Sequence, residues 1–263
     1  MEPKATPAPY PFRLLKTGLR DGFYNMALDE ALLEAVSRGA SLPVLRFYGW
    51  TPPTVSLGYF QGIREEVDLD ACKRHGVGVV RRISGGGAVF HQAELTYSII
   101  MKETHPLAGN DIQASYATLC AAIVAGLAHL GVASQFVPIN DIIAGGRKIS
   151  GNAQGRRKGC VLQHGTILLE NDLDLMFELL RVPSEKIRGK LIADVKERVT
   201  SLKALLGRSV SFDEAAAAMT AGFKEALSLE LVETPVSAPL PERDRARELA
   251  ATKFAAPEWL YSR

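Results

Sequence analysis

Cysteine is scarce in this chain of 263 residues: there are three, Cys72, Cys120 and Cys160. They are odd in number, widely spaced and free of any C-x-x-C pattern, which argues against a disulfide framework or a zinc site and points to a reducing compartment. An excess of charge of one sign is also lacking. With 31 Lys and Arg against 29 Asp and Glu, the net charge of +2 leaves no bulk electrostatic footprint for nucleic acid. Long apolar runs are missing too. The strongest, Cys120 to Leu130, is interrupted by Gly126 and His129, and the opening MEPKATPAPYPFR has no signal-peptide core. A cytoplasmic protein with neither a membrane nor a nucleic-acid partner is expected. There is no internal repeat, and no low-complexity tract beyond Ala215 to Ala218.

What is present reads as one large α/β unit with ample core. After a Pro-rich lead-in, apolar residues at Met26, Leu28, Ala31, Leu32, Leu33 and Val36 predict an amphipathic helix over Asn25 to Arg38, ending at Gly39. Strands are expected at Val44 to Tyr48, Thr54 to Phe60, Gly78 to Arg82 and Ala88 to Met101, with a short helix at Val67 to His75. A second long helix spans Asp111 to Leu130, with Asn110 as N-cap and Gly131 past its end. Gln135 to Val137, Asp141 to Ala144, Arg147 to Ser150 and Cys160 to Leu169 alternate with glycine-bearing turns and read as hairpins. The rest is mainly helical: Ser211 and Glu214 form a capping-box pattern before Ala215 to Leu227, and Glu242 to Phe254 is a final amphipathic helix. Strands clustered early, with helices inserted and appended, favour an α+β sheet over a βαβ repeat.

The densest chemistry lies in Arg81-Arg82-Ile83-Ser84-Gly85-Gly86-Gly87-Ala88-Val89-Phe90-His91. Three consecutive glycines weaken a strand, so either a bulge or tight bend is meant here, or a ligand approaches the backbone. The flanking arginines and His91 favour an anion. G-x-G-x-x-G spacing is absent and no Gly-Lys-Ser/Thr follows, which sets aside the two common phosphate loops. The basic group Arg156-Arg157-Lys158, set between Gly155 and Gly159, reads as a solvated turn.

A second cluster follows: Asn140-Asp141-Ile142-Ile143, then Gly146-Arg147-Lys148-Ile149-Ser150-Gly151-Asn152-Ala153-Gln154, then Gln163-His164-Gly165-Thr166. With these motifs in this order, the chain resembles the lipoate–protein ligase and octanoyltransferase family, of the biotin/lipoate protein ligase superfamily. The likeness extends from Tyr24-Asn25-Met26-Ala27 to Glu258-Trp259. The resemblance implies a class II synthetase-like catalytic domain: a curved mixed β-sheet flanked by helices, with an acyl chain in an apolar tunnel and its activated carboxyl at the glycine run. It implies one catalytic domain over residues 1–263, its helical C-terminal part at about 172–263, without the small accessory domain that many ligases of the family carry. A separate chain supplying that domain is one way to account for this.

By the same resemblance, Lys148 is the catalytic lysine at the acyl carbonyl and phosphate. Arg82 and the backbone of Gly85, Gly86, Gly87 and Ala88 are further donors, aimed at negative charge that develops when a carboxylate meets the α-phosphate of ATP. Ser84, Ser150, Gly151, Ala153, Gly165 and Thr166 complete the acyl and adenylate contacts, and His91 and His164 orient the acyl end. Asn140 and Asp141 match the nucleotide site, Asp141 holding Mg²⁺ or a ribose hydroxyl. On local sequence alone, Lys148 is a solvated lysine on a Gly-Gly hairpin and Asn140-Asp141 an ordinary turn.

The implied activity is lipoate (or octanoate)–protein ligation: acyl-AMP forms from free acid and ATP, and the acyl group passes to a lysine of a lipoyl domain of a 2-oxoacid dehydrogenase or of a glycine-cleavage H protein. The alternative is an octanoyltransferase drawing on a carrier protein or H protein through a cysteine thioester. The family's transferases place that cysteine either just before the Asn140 position, where this chain reads Ala133-Ser134-Gln135-Phe136-Val137-Pro138-Ile139, or in the region of Met176 to Ile187, and neither stretch has one. Transferase-like features remain in Glu94-Leu95-Thr96-Tyr97-Ser98. Cys160 is a candidate relocated nucleophile, near Arg157 and Lys158 and in alternation with Leu162 and His164.

Overall fold

The computed structural model describes residues 9–181, 185–235 and 240–263; the start of the Pro-rich lead-in and part of the Met176 to Ile187 stretch lie outside them. Eleven strands are assigned among the described residues: β1 Tyr10–Arg20, β2 Val44–Trp50, β3 Thr54–Leu57, β4 Gly78–Arg81, β5 Val89–His91, β6 Glu94–Lys102, β7 Ser134–Val137, β8 Asp141–Ala144, β9 Arg147–Arg157, β10 Cys160–Leu168 and β11 Leu229–Glu233. Eight of them form one mixed sheet in the order β11-β1-β2-β6-β10-β9-β8-β7, parallel at β11-β1-β2 and antiparallel from β2 onward. The other three form a small sheet, β4-β3-β5.

The helices are α1 Gly22–Ser37, α2 Ile63–Glu66, α3 Leu69–Arg74, α4 Ile112–His129, α5 Leu173–Leu179, α6 Glu185–Arg198, α7 Leu202–Leu206, α8 Phe212–Leu227, α9 Glu242–Leu249 and α10 Pro257–Leu260. They cover both faces of the large sheet. Strand alternation sends Phe12, Leu14, Leu45, Phe47, Ile99 and Met101 toward α4 and α8, and Leu15, Val44, Tyr48, Trp50, Ile100 and Leu162 toward α1 and α9. That is why β2 is buried at every residue and reads as a continuous apolar run broken only by Arg46. Arg46 pairs with Asp29 of α1 at 2.6 Å, with Asn25, Tyr48 and Ser98 completing the network. Burial pushes the Asp29 carboxyl up, but the Arg46 guanidinium and the neighbouring His164 outweigh it and leave it below its ordinary value.

The α+β expectation and the mixed sheet with flanking helices hold. The differences are instructive. Ala88 to Met101 is not one strand: the chain leaves the small sheet after His91 and enters the large one at Glu94. The N-cap of α4 is Asp111, whose side chain accepts from Ala114 N at 2.8 Å, and not Asn110. Ser211 caps α8, but Glu214 turns to Arg208 at 2.6 Å, so only half of the capping box forms. The final helix becomes a π-turn over Ala250–Phe254. By length and composition α4, with mean hydropathy 1.3, is apolar enough to cross a membrane, which the broken run at Gly126 and His129 did not foretell; here it packs against α8 and the sheet.

Candidate functional site

A cavity of 330 Å³ lies where the β4–β5 loop, β9, β10 and the helices after β10 meet. Its walls are largely apolar, from Met26, Val89, Phe90, Leu168, Met176 and Val199, with a few convergent polar groups, the usual pattern of a small-molecule site.

The glycine run is a loop between β4 and β5 and not strand, and Gly86 sits at φ +95°, where a side chain would be strained. It also packs against Gly58: a Cβ there would meet the Gly86 carbonyl oxygen at 2.0 Å. The two arginines before it have different tasks. Arg81 is fully buried outside the cavity and donates to the carbonyls of Gly58 at 3.0 Å, Gln61 at 2.6 Å and Leu260 at 2.8 Å, tying the small sheet to α10. Arg82 lines the cavity. Its Nη1 donates to Ser56 O and Oγ, each at 2.9 Å, and its Nη2 to Gly85 O at 2.9 Å and Gly87 O at 2.7 Å. Burial pushes this guanidinium down to about 10. Its terminal N–H groups are thus spent on Ser56 of β3 and on the loop, whereas the resemblance implied that they face a ligand directly.

Lys148 enters from the opposite side. The β8–β9 hairpin turns at Gly145 and Gly146, both at positive φ, and brings Lys148 back beside Asp141, with Nζ 2.7 Å from Oδ1. The two atoms are close but poorly aligned for a hydrogen bond. The backbone of Lys148 is held by Thr200 N, which donates to its carbonyl at 2.8 Å, so the segment after α6 clamps the strand. Its side chain lies across Gly151, where an added Cβ would stand 2.9 Å from Lys148 Cε. Asn140, also in the wall, exchanges amide hydrogen bonds with Asn152, and Tyr97 Oη donates to Asn152 Oδ1 at 2.7 Å.

Both histidines reach the cavity, each held at its two ring nitrogens. His91 Nδ1 is 2.6 Å from Glu94 Oε1 and Nε2 is 2.7 Å from Ser56 Oγ, while the ring stacks on Trp50 at 4.0 Å. His164 Nε2 is 2.6 Å from Ser84 Oγ and Nδ1 is 3.7 Å from Asp29 Oδ2. Burial draws the His164 imidazole down from its ordinary value, so the neutral ring is favoured.

The cavity wall therefore gathers Arg82, Gly86, Gly87, Ala88, His91, Asn140 and Lys148, together with Ser150, Gly151, Ala153, His164, Gly165 and Thr166. Ser84 and Gly85 stand behind it, as does Asp141, which reaches it through Lys148. Cys160 is a correction. It shares a strand face with His164, as alternation suggested, but four residues of strand place it about 13 Å away. It is fully buried among Leu28, Leu32 and Leu162, and burial pushes its thiol up even though Lys102 opposes. The neighbouring cations are engaged elsewhere: Arg157 donates to Ile83 O at 3.1 Å and lies over the Tyr59 ring, and Lys158 is 2.7 Å from Glu34. The turn at 156–158 is thus tied down and not merely solvated. Cys72 and Cys120 are likewise buried, and none of the three cysteines lines the cavity. Among the described residues no three His, Cys, Asp or Glu side chains form a metal cluster, and the Asp141 carboxylate faces Lys148. One carboxylate suffices for a Mg²⁺ that arrives on a nucleotide, because that ion keeps several waters and takes phosphate oxygens.

Ser56, Trp50, Glu94 and Asp29 were not candidates from the sequence. Glu94 had a signal, standing three residues from His91; Ser56 had none, because a strand in another part of the chain delivers it.

A family model, the lipoyl protein ligase A/B catalytic domain, matches residues 21–224. The chain is 38% identical to octanoyltransferase LipM of Geobacillus kaustophilus over 275 residues, covering 96% of this chain and 98% of that one. Among solved structures it is similar to a bi-partite lipoate protein ligase from Thermoplasma acidophilum, at 34% identity and TM-score 0.86 over 96% of each chain. It is also similar to lipoate-protein ligase A bound with ATP, at 32% identity and TM-score 0.79, over 96% of this chain and 98% of that one. The matched span encloses the glycine loop, both histidines and the Lys148 hairpin, and the chain belongs to the lipoyl protein ligase A/B catalytic-domain family.

Proposed function

We propose that this enzyme joins lipoate or octanoate to ATP and passes the acyl group from the resulting acyl adenylate to one lysine of a lipoyl domain or an H protein. The observation that carries this reading is that the glycine loop and the Lys148 ammonium share one cavity from which all three thiols are excluded. A carboxylate oxygen attacks the α-phosphorus and pyrophosphate departs; the acceptor amine then attacks the acyl carbon and AMP departs. Both steps concentrate negative charge, and Lys148 with the loop amides are fixed donors for it. The same cation disfavours protonation of an acceptor amine brought beside it, keeping that amine nucleophilic. Asn140 and Asp141 would meet the nucleotide and its Mg²⁺. The similarity to a ligase bound with ATP supports this donor.

The second reading is octanoyl transfer from a carrier thioester, and the name of the curated relatives favours it over ATP-dependent ligation. In that case the burial of Cys160 argues for direct passage of the acyl group from donor to acceptor, with no thioester on the enzyme. The likeness to a bi-partite ligase studied with its E2 lipoyl domain supports a lipoyl-domain acceptor, and with it a single catalytic unit aided by a separate accessory chain. The unpaired cysteines suit the cytoplasm. Incubating the protein with an apo lipoyl domain and either octanoate with ATP or octanoyl carrier protein without it decides the donor. Acylation only in the first mixture is expected; acylation only in the second replaces ligation with transfer.

A further inference from the structure

We propose that Ser56 is a positioning residue which, through Arg82, aims two backbone amides of the glycine loop at the acyl head group. The proposal rests on the reading that the cavity takes an acyl carboxyl group, but not on the choice of donor.

The argument follows the hydrogens. Ser56 Oγ accepts from Arg82 Nη1 at 2.9 Å, and the arrangement that gives its own buried proton an acceptor sends it to the other neighbour, His91 Nε2, at 2.7 Å. That nitrogen is then the acceptor, and the ring proton sits on Nδ1, which donates to Glu94 Oε1 at 2.6 Å. Thr96 Oγ1 donates to the same oxygen at 2.6 Å and accepts from Trp50 Nε1 at 2.8 Å. From the indole to the guanidinium, every link has one direction.

At the other end, Arg82 Nη2 holds the carbonyls of Gly85 and Gly87. Neither following peptide is cis, and in a trans peptide the N–H points opposite to the C=O. Pinning those two carbonyls therefore turns the N–H groups of Gly86 and Ala88 away from Arg82 as a pair. No protein group among the described residues accepts from either, and with Gly86 exposed and Ala88 half-buried in the cavity wall both are open to a ligand that enters. Two free amides, held at alternate positions by a buried cation, make an anion cradle, and the loop around Gly86 has no strand ladder to hold it otherwise.

The order Ser56–His91–Glu94 also has the form of a nucleophile with its base and orienting acid. Here, however, the serine oxygen is already committed at both ends, and the residue is 1% exposed. Its place is that of a link.

The test separates head group from tail. Binding of octanoate and of 1-octanol to the full-length protein is measured by calorimetry for wild type, Ser56→Ala and Ser56→Thr. Ser56→Ala is expected to weaken octanoate about tenfold or more, the worth of a hydrogen bond to a charged group, while 1-octanol changes less than about twofold. Ser56→Thr, which keeps the hydroxyl, restores octanoate binding. Where Ser56→Ala does not fold, Ser56→Cys keeps the volume without a strong acceptor and carries the same expectation. Equal weakening of both ligands, no weakening of either, or no preference of wild type for octanoate overturns the proposal, as does labelling of Ser56 by a fluorophosphonate. A wild type that binds octanoate through Ser56 but acylates no lipoyl domain overturns the proposed function and leaves this inference standing; acylation with octanoate binding indifferent to Ser56 does the reverse.

Discussion

Lys148 Nζ and Asp141 Oδ1 lie 2.7 Å apart across the hairpin between β8 and β9, with both side chains partly open to solvent. The ammonium is thus held at the cavity by a partner that is itself a nucleotide-site candidate. Lys148→Ala is expected to lower acyl transfer to a lipoyl domain by about a hundredfold or more, the usual loss for a donor that faces developing charge, with the circular dichroism unchanged. Asp141→Asn is expected to lower it less, and the double variant to be no worse than Lys148→Ala alone, since the two residues act as a unit. Additive losses would separate them.

Gly151→Ala is expected to leave stability nearly unchanged but reduce turnover about tenfold to a hundredfold, the effect of displacing a catalytic group by an ångström. The added Cβ would press on Lys148 Cε and Nζ, the far end of a flexible side chain that can yield. Melting curves and acylation rates measured on one preparation check the split; a lowered Tm with unchanged rate per folded molecule would contradict it.

Cys160→Ala is expected to retain acyl transfer with whichever donor the wild type uses. In the folded protein, titration with a thiol reagent should show no fast-reacting cysteine, because all three are buried and their thiols are pushed up, Cys72 to about 11 and Cys120 to about 12. Loss of octanoyl transfer in this variant at full stability would restore a thioester route.

Glu34 on α1 joins Arg245 of α9 at 2.9 Å and Lys158 of the β9–β10 turn at 2.7 Å. The Arg245 hydrogen bond is the main cause; burial opposes it, but Lys158 adds to it and together they hold the Glu34 carboxyl at about 2 rather than 4.5. Its folded value lies below the unfolded one, so the stability it contributes is complete above about pH 4.5 and drains away as pH falls toward 2. Glu34→Gln is expected to lower Tm at neutral pH by about 2–4 °C and to flatten this part of the acid limb of the stability curve. An identical pH profile in the variant would remove Glu34 from the acid response.

What the sequence disclosed was local. Helices α1 and α4 announced themselves by spacing and flanking glycines, and the β8–β9 hairpin and β10 by turns. The two outermost parallel partners did not: β1 emerges from a Pro-rich lead-in, and β11 is half exposed and short among helices. Nothing in Ala88 to Met101 tells that His91 and Glu94 belong to different sheets, because alternation reports a face and not a partner. At the site, the motif residues were legible because they stand in clusters. Ser56 stands 35 residues from His91, which it meets, and Asp29 lies on α1, far earlier in the chain than the His164 beside it, and no local pattern records either. The alternation of Cys160 with His164 was right in direction and wrong in reach.

The pairing of Tyr10 with Leu229, which opens the β1–β11 ladder, has a bearing on how the protein is made. A ribosome delivers the first strand long before its outer neighbour exists, so one border of the large sheet stays uncovered while nearly all of the remaining polypeptide emerges. Until then that border offers bare amide and carbonyl groups to any passing chain. Late release of the β11 segment, more than the chemistry of the cavity, is what nascent copies crowded on one message would have to survive.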